Sequence, residues 1–287
     1  MRHVLPAILL LALSAAGARA QAPKWDPADE AAVRKAALDY MDGALTGDID
    51  RLAGALHPEL NKAHLTPVGQ TGQKVLYRMG FTRLVEGMRA NAGRNAPPAG
   101  TSTVTVFDIA NDVASALVVS PLYYDYLQLA KIDGAWKLVN VLWAPNRPPE
   151  GSTGIPKGSE ADRQAVERAV LDYADGFYAG DAARMTRALH PEVNKVRPVR
   201  IPQTGKTFLD KMGAQLLIAV TGAGAGLLEE SKREEQVTVY DIAYDLATAR
   251  VSTATFIDYL HLARIDGEWK LINVLWVPNP AAQAPGH

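Results

Sequence analysis

Ile132-Asp133-Gly134-Ala135-Trp136-Lys137-Leu138-Val139-Asn140-Val141-Leu142-Trp143 returns 133 residues later as Ile265-Asp266-Gly267-Glu268-Trp269-Lys270-Leu271-Ile272-Asn273-Val274-Leu275-Trp276. Asp-Gly between alternating apolar residues is a strong hairpin signal, because a two-residue turn that matches strand twist needs positive φ at both positions. The stretch therefore predicts the closing hairpin of a sheet, present twice. Working outward, the same offset relates Leu56-His57-Pro58-Glu59 to Leu189-His190-Pro191-Glu192, Asp39-Tyr40 to Asp172-Tyr173, Asn61-Lys62 to Asn194-Lys195 and Gln70-Thr71-Gly72 to Gln203-Thr204-Gly205. No insertion separates the copies from about Ala28 to Asn146, and a repeat of this length is a domain rather than a solenoid unit. The expected organisation is one domain over 25–146, a Pro- and Gly-rich linker over 147–158 and a second domain over 159–280.

Within each copy the hydrophobic period changes along the chain. Val33, Ala36, Ala37, Tyr40 and Ala44, and likewise Val166, Ala169, Val170, Tyr173 and Phe177, recur at spacings of three and four, which predicts an opening helix with its tyrosine turned inward. Gly47-Asp48 and Gly180-Asp181 read as a helix stop followed by an N-cap for a short second helix. A third helical stretch is expected over Val75 to Met88 and over Phe208 to Val220. Beyond it the period drops to two, as in Val104-Thr105-Val106 and Val237-Thr238-Val239, so helices precede an antiparallel sheet and the fold class is α+β. Counting outward from the Asp133-Gly134 turn pairs Leu129 with Leu138, Leu127 with Asn140 and Asp125 with Leu142 on one face. Lys137, Val139, Val141, Trp143, Tyr124 and Tyr126 fall on the other. Both faces carry large apolar groups, so the sheet is expected to be covered twice, by its own helices and by the other copy's sheet. A bulge would shift these pairings by one, and Pro121 points to an edge or a bulge.

The composition excludes several classes. With 287 residues, 48% hydrophobic, 21% charged and a net charge of −1, the chain is an ordinary globular one that offers no net field for a nucleic acid. Arg2 and His3, an apolar run from Val4 to Ala16 and Ala18-Arg19-Ala20 read as a signal peptide over residues 1–20, which predicts a periplasmic or secreted protein cleaved after Ala20. Removing Arg2 and Arg19 leaves 30 − 2 = 28 basic against 31 acidic residues. No later stretch is apolar and long enough for a membrane span. With no cysteine and no His-Glu-x-x-His pattern, neither a disulfide nor a zinc site is expected, and no cofactor is called for.

An inward-Tyr helix, Gly-Asp, Leu-His-Pro-Glu and a closing hairpin reading Asp-Tyr-Leu-x-Leu-Ala-x-Ile-Asp-Gly-x-Trp-Lys-Leu-x-Asn-Val-Leu-Trp together resemble the nuclear-transport-factor-2-like superfamily. Within it the chain is most similar to the branch labelled "putative lumazine-binding", related to the SnoaL-like cyclases and ketosteroid isomerases. The resemblance covers nearly all of both copies. It implies two tandem cone-shaped (cystatin-like) domains, each with a curved sheet wrapped around a helix-lined pocket and the opposite sheet face used for pairing. That fold hosts isomerases, dehydratases, cyclases, epoxide hydrolases and non-catalytic binding modules alike.

Asp125 and Asp258 are the candidate general bases, because a carboxylate in phase with Leu127 and Leu129, or with Leu260 and Leu262, is costly unless paired or functional. On this reading Tyr40 and Asn140, or Tyr173 and Asn273, line the pocket and donate hydrogen bonds to a bound oxyanion. The plainer reading is that Asp, Asn and Tyr satisfy one another near the sheet rim. His57 and His190 are further ligand-binding candidates, although a histidine before a proline at a helix end commonly ties down a loop. Asn61-Lys62 and Asn194-Lys195 read as a polar loop at a pocket mouth, and the tryptophans as core or as a stacking surface for a planar ligand. The functional expectation is an exported protein that binds a small apolar or aromatic molecule in one or both domains. The alternatives are a cofactor-independent isomerase, dehydratase or cyclase using Asp and Tyr, and a protein-binding scaffold. The two domains are expected to pair sheet to sheet as a pseudo-dimer.

Overall fold

The computed structural model describes residues 25–91, 100–152 and 154–280. The expected signal peptide and its cleavage site lie outside the described residues. In the first copy α1 (Pro27–Thr46) and α2 (Ile49–Ala55) lead into β1 (Leu56–Pro67), β2 (Lys74–Met79) and α3 (Phe81–Asn91), and β3 (Thr103–Ala110), β4 (Val113–Val119), β5 (Tyr123–Ile132) and β6 (Ala135–Pro145) follow. The second copy repeats the order with α4 (Glu160–Ala179), α5 (Ala182–Ala188), β7 (Leu189–Arg200), β8 (Thr207–Met212), α6 (Ala214–Gly222), β9 (Gln236–Ala243), β10 (Leu246–Ser252), β11 (Phe256–Ile265) and β12 (Glu268–Pro278). Its only added element among the described residues is a 3-10 turn at Glu230–Lys232. Each copy is an α+β unit with one six-stranded sheet, ordered β2-β1-β6-β5-β4-β3 and β8-β7-β12-β11-β10-β9.

Local chemistry sets these boundaries. The Asp26 carboxylate caps α1 by accepting from the Ala28 N–H at 2.8 Å, and Ser159 and Asp162 form a reciprocal capping box on α4. Both helices stop at a glycine in the left-handed region, Gly47 at φ 78° and Gly180 at φ 66°, where a Cβ would be strained. The hairpin turns at Asp133-Gly134 and Asp266-Gly267 have positive φ at both residues, as the sequence requires.

Three expectations are corrected. The third helix does not run from Val75 or Phe208, because residues 74–79 and 207–212 are edge strands paired antiparallel with β1 and β7, and helix begins only after Gly80 or Gly213. Short apolar runs fit either period, and the available strand edge decides between them. The sheets are not wholly antiparallel either, since β1 pairs parallel with β6 and β7 with β12. Pro121 lies in the turn between β4 and β5 rather than in a strand, and there Ser120 Oγ accepts from the Leu122 and Tyr123 N–H groups at 3.3 and 3.0 Å.

A bulge changes which face several residues occupy. Leu129 pairs with Leu138 as expected, but Gln128 pairs with Asn140, which leaves Val139 as an extra residue in β6. Beyond it every side chain changes face, so Asp125 stands opposite Trp143, and Asn140 shares the far face with Gln128, Tyr126 and Leu142. Ile272 is the extra residue of β12, with Asp258 opposite Trp276 and His261 opposite Asn273.

The helix-covered faces hold two separate cores, one per copy. The first gathers Val33, Tyr40, Leu52, Leu127, Leu129 and Val141, and the second Val166, Tyr173, Met185, Leu260, Leu262 and Val274. Two further buried clusters draw residues from both copies. Ala63, Tyr124, Tyr126 and Leu142 pack with Leu246, Ala263 and Ile272, and Val113, Ala130 and Val139 pack with Val196, Tyr259 and Leu275. Among the described residues no helix is long and apolar enough to cross a membrane.

Candidate functional site

On β5 and β11, Asp125 and Asp258 point into the helix-covered side of their sheets and are both fully buried. A carboxylate there needs a counter-charge, and the lysine two places beyond Leu60 or Val193 supplies it. Leu60, Lys62 and His64 alternate along β1 with Asn61, Ala63 and Leu65, so Lys62 turns inward, where its Nζ stands 2.7 Å from Asp125 Oδ2 and 2.5 Å from the Tyr40 hydroxyl. In the second copy Lys195 Nζ is 3.1 Å from Asp258 Oδ2 and 2.6 Å from Tyr173 Oη. Each tyrosine donates its own proton to the carboxylate, Tyr40 to Asp125 and Tyr173 to Asp258. The ammonium of Lys62 lies 4.6 Å from the Trp143 ring centroid, and that of Lys195 lies 4.6 Å from Trp276.

This Lys-Asp-Tyr unit is balanced in charge but not in hydrogen bonds. Asp125 Oδ1 and Asp258 Oδ1 are buried without a partner among the described residues. Burial pushes the Asp258 carboxyl above the usual carboxylate range against the pull of Lys195 and Tyr173, and burial draws Lys62 and Lys195 below the usual lysine range against the pull of their aspartates. The hydroxyls of Tyr40 and Tyr173 are driven well up by burial and by the adjacent carboxylate, so both remain protonated donors.

In the second copy Lys195 and Tyr173 of this unit line the floor of a cavity of about 440 Å³. Lys195, Tyr173 and Thr255 are polar residues of its lining, and Phe177, Leu217, Val220, Phe256 and Trp276 are among its apolar walls. The segment after α6 shapes one side. Ala225 lines the cavity, and the segment is fastened where the Leu228 N–H donates to Tyr178 O at 3.1 Å and Arg233 pairs with Asp175 at 2.8 Å. The corresponding first-copy residues around Lys62 are Ala44 for Phe177, Gly87 for Val220 and Tyr123 for Phe256.

The other candidates lie elsewhere. Asn140 and Asn273 are on the opposite sheet face, so they cannot meet a ligand held by Asp125 or Asp258. Instead Asn61 Nδ2 donates to Asn273 Oδ1 at 2.6 Å and Asn194 Nδ2 to Asn140 Oδ1 at 2.8 Å, each reaching from one copy to the other. His57 and His190 stand at the starts of β1 and β7, where each Nδ1 accepts from the backbone N–H two residues on, at 3.1 Å. Burial lowers both imidazoles below the usual histidine value. Sequence reasoning also misplaced Lys62 and Lys195, as part of a polar loop at a pocket mouth, whereas both are buried in strands. The signal that could have found them is the strand alternation on either side.

Two six-stranded sheets, each backed by helices over a buried polar triad, make this a tandem α+β protein. More narrowly, the family model described as "Putative lumazine-binding" matches residues 28–144 and 161–277, and the chain belongs to that family. Similar solved structures include an NTF2-like protein of unknown function from Shewanella baltica OS155, with 18% identity over 43% of this chain and 98% of that one and a TM-score of 0.34. An NTF2-like protein of unknown function from Methylobacillus flagellatus KT has 19% identity over 44% and 99%, with a TM-score of 0.36. A domain of unknown function with a cystatin-like fold from Nostoc punctiforme PCC 73102 has 15% identity over 50% and 95%, with a TM-score of 0.32. No curated protein matches the chain.

Proposed function

We propose that the protein binds a small, largely apolar molecule in the cavity of its second domain, with Lys195 and Tyr173 as the polar anchor. The observation that carries this reading is the combination of a cavity of about 440 Å³, apolar and aromatic walls and one charged donor at its floor, which is the usual composition of a small-molecule site. Membership of a family described as binding a heteroaromatic compound supports the same class of ligand. The proposal extends to location and assembly. Residues 1–20 act as an export signal, so binding takes place outside the cytoplasm, and the two domains pair sheet to sheet as a pseudo-dimer. The pairing is supported by the two clusters that mix residues of both copies and by the reciprocal ion pairs Arg78 with Glu192 at 3.4 Å and Lys211 with Glu59 at 2.6 Å.

Isothermal titration with 2-naphthalenemethanol tests the binding reading. One molecule per chain is expected, with binding lost in Val220→Trp, which fills the cavity, and kept in Gly87→Trp, its first-copy counterpart. Equal binding by wild type and Val220→Trp would remove the second-domain cavity as the site.

The hydrogen bond from Tyr173 to Asp258 favours a second reading, a cofactor-independent isomerase, dehydratase or cyclase with Asp258 as base. It requires Asp258→Asn to abolish turnover while leaving binding intact.

A further inference from the structure

The donors of Lys195 are unevenly used. An ammonium has three N–H groups, and the structure gives Nζ two hydrogen-bond acceptors, Tyr173 Oη at 2.6 Å and Asp258 Oδ2 at 3.1 Å. Lys195 also lines the cavity, with its Nζ near the Phe256 and Trp276 rings, which leaves its third N–H for an occupant. A neutral carbonyl oxygen suits that position. A carboxylate would face the buried charge of Asp258, and a purely apolar molecule would leave the donor unmet. A carbonyl oxygen held there brings its carbon within reach of the same nitrogen.

We infer that Lys195 is a nucleophilic amine, which captures an apolar aldehyde or ketone in the second-domain cavity as an imine. This rests on the binding reading above and adds a covalent step to it. Desolvation favours the neutral amine, and Asp258 is placed to take its proton. Lys195 first passes one proton to Asp258. Its lone pair then forms the C–N bond while the carbonyl π pair moves to oxygen, and a second nitrogen proton transfers to that oxygen to give the carbinolamine. Asp258 returns its proton to the hydroxyl, the C–O bond breaks with its electrons, and water leaves as the C=N bond forms. The product is a protonated imine beside an ionised Asp258. Three hydrogens on nitrogen have become one on nitrogen and two in water, and nothing has been oxidised or reduced. Tyr173, donating to Asp258 and accepting from Lys195, holds the two groups in line.

The test is reductive trapping. The protein is incubated with 2-naphthaldehyde and sodium cyanoborohydride near neutral pH, and the label is followed by intact mass and located by peptide mapping. The expected result is one adduct per chain, on Lys195, formed at least about tenfold faster than on exposed lysines such as Lys206 and Lys232. Excess 2-naphthalenemethanol should suppress it. Lys195→Arg should remove the fast phase, and Lys62→Arg should keep it. Because mapping locates the label in the wild-type chain, the result does not depend on how well Lys195→Arg folds. If 2-naphthalenemethanol binds but labelling is spread over exposed lysines at one common rate, the imine proposal is overturned and the binding reading stands. If the alcohol neither binds nor suppresses labelling, both are overturned.

Discussion

The two copies keep the same buried Lys-Asp-Tyr unit and differ in what surrounds it. Around Lys195 stand Phe177, Phe256 and Val220, and the equivalent places around Lys62 are held by Ala44, Tyr123 and Gly87. Above the tryptophan that carries each lysine, Arg197 lies 4.7 Å from the Trp276 ring, whereas His64 packs at 4.5 Å against Trp143. The contrast separates two roles that one sequence motif would otherwise merge. A polar unit retained in both settings answers to the fold as well as to a ligand, and the residues around it give each copy its own surroundings.

The largest effect that would break this comparison concerns the ion pairs. Lys62→Met and Lys195→Met should each cost about 3–5 kcal/mol of stability in urea unfolding, because each leaves a buried carboxylate without its counter-charge. Lys195→Met/Asp258→Leu should recover most of that loss. Two single variants that differ widely would show that the units are not structurally equivalent.

The next effect sharpens the contrast on the sheet faces turned away from the helices. Gln128 of the first copy donates to Tyr259 O at 2.8 Å, and its counterpart His261 is fully buried with its pKa pulled down to about 3 by desolvation. A folded value below the unfolded one means stability present above about pH 6.5 and lost as pH falls toward 3, at about 1.4 kcal/mol per pH unit. His261→Gln should flatten the acid limb of a plot of unfolding free energy against pH. An unchanged limb would show that His261 does not control it.

The smallest effect belongs to the segment over the second-copy cavity. Burial and the nearby Asp175 carboxylate push Glu235 up to about 7. Here the folded value lies above the unfolded one, so the cost of ionising Glu235 is absent below about pH 4.5 and complete above about pH 7. Glu235→Gln should therefore gain stability relative to wild type as pH rises from 5 to 8. Thermal melts at both values read the difference, and a pH-independent offset would refute the assignment.

Much of this arrangement was legible in the chain. The Asp-Gly turns, the inward tyrosines and the alternation Asp125, Leu127, Leu129 all follow from local periodicity, and they located the buried carboxylates and their tyrosine partners. Asn140 was misplaced because Val139 is accommodated as a bulge, and a bulge answers to sheet curvature, for which the local pattern holds no sign. Lys62 was misread because a lysine beside an asparagine looks like part of a polar loop at a pocket mouth, and its burial depends on a carboxylate 63 residues away. The cavity was out of reach for a related reason. Its lining comes from α4, β7, β8, α6, β11 and β12, and one side of it follows the stretch after α6, where the copies diverge.

Equivalent positions on the two sheets also bear on the protein's history. Gln128 and His261 are equivalent by the repeat, as are Leu117 and Arg250, yet within each pair the residue types differ. In an assembly of identical subunits any substitution at such a place is made twice at once, and a change tolerable singly is rejected when doubled. With both copies encoded in one chain, each site mutates alone. One half can hold the common scaffold constant while the other drifts toward a new chemical task.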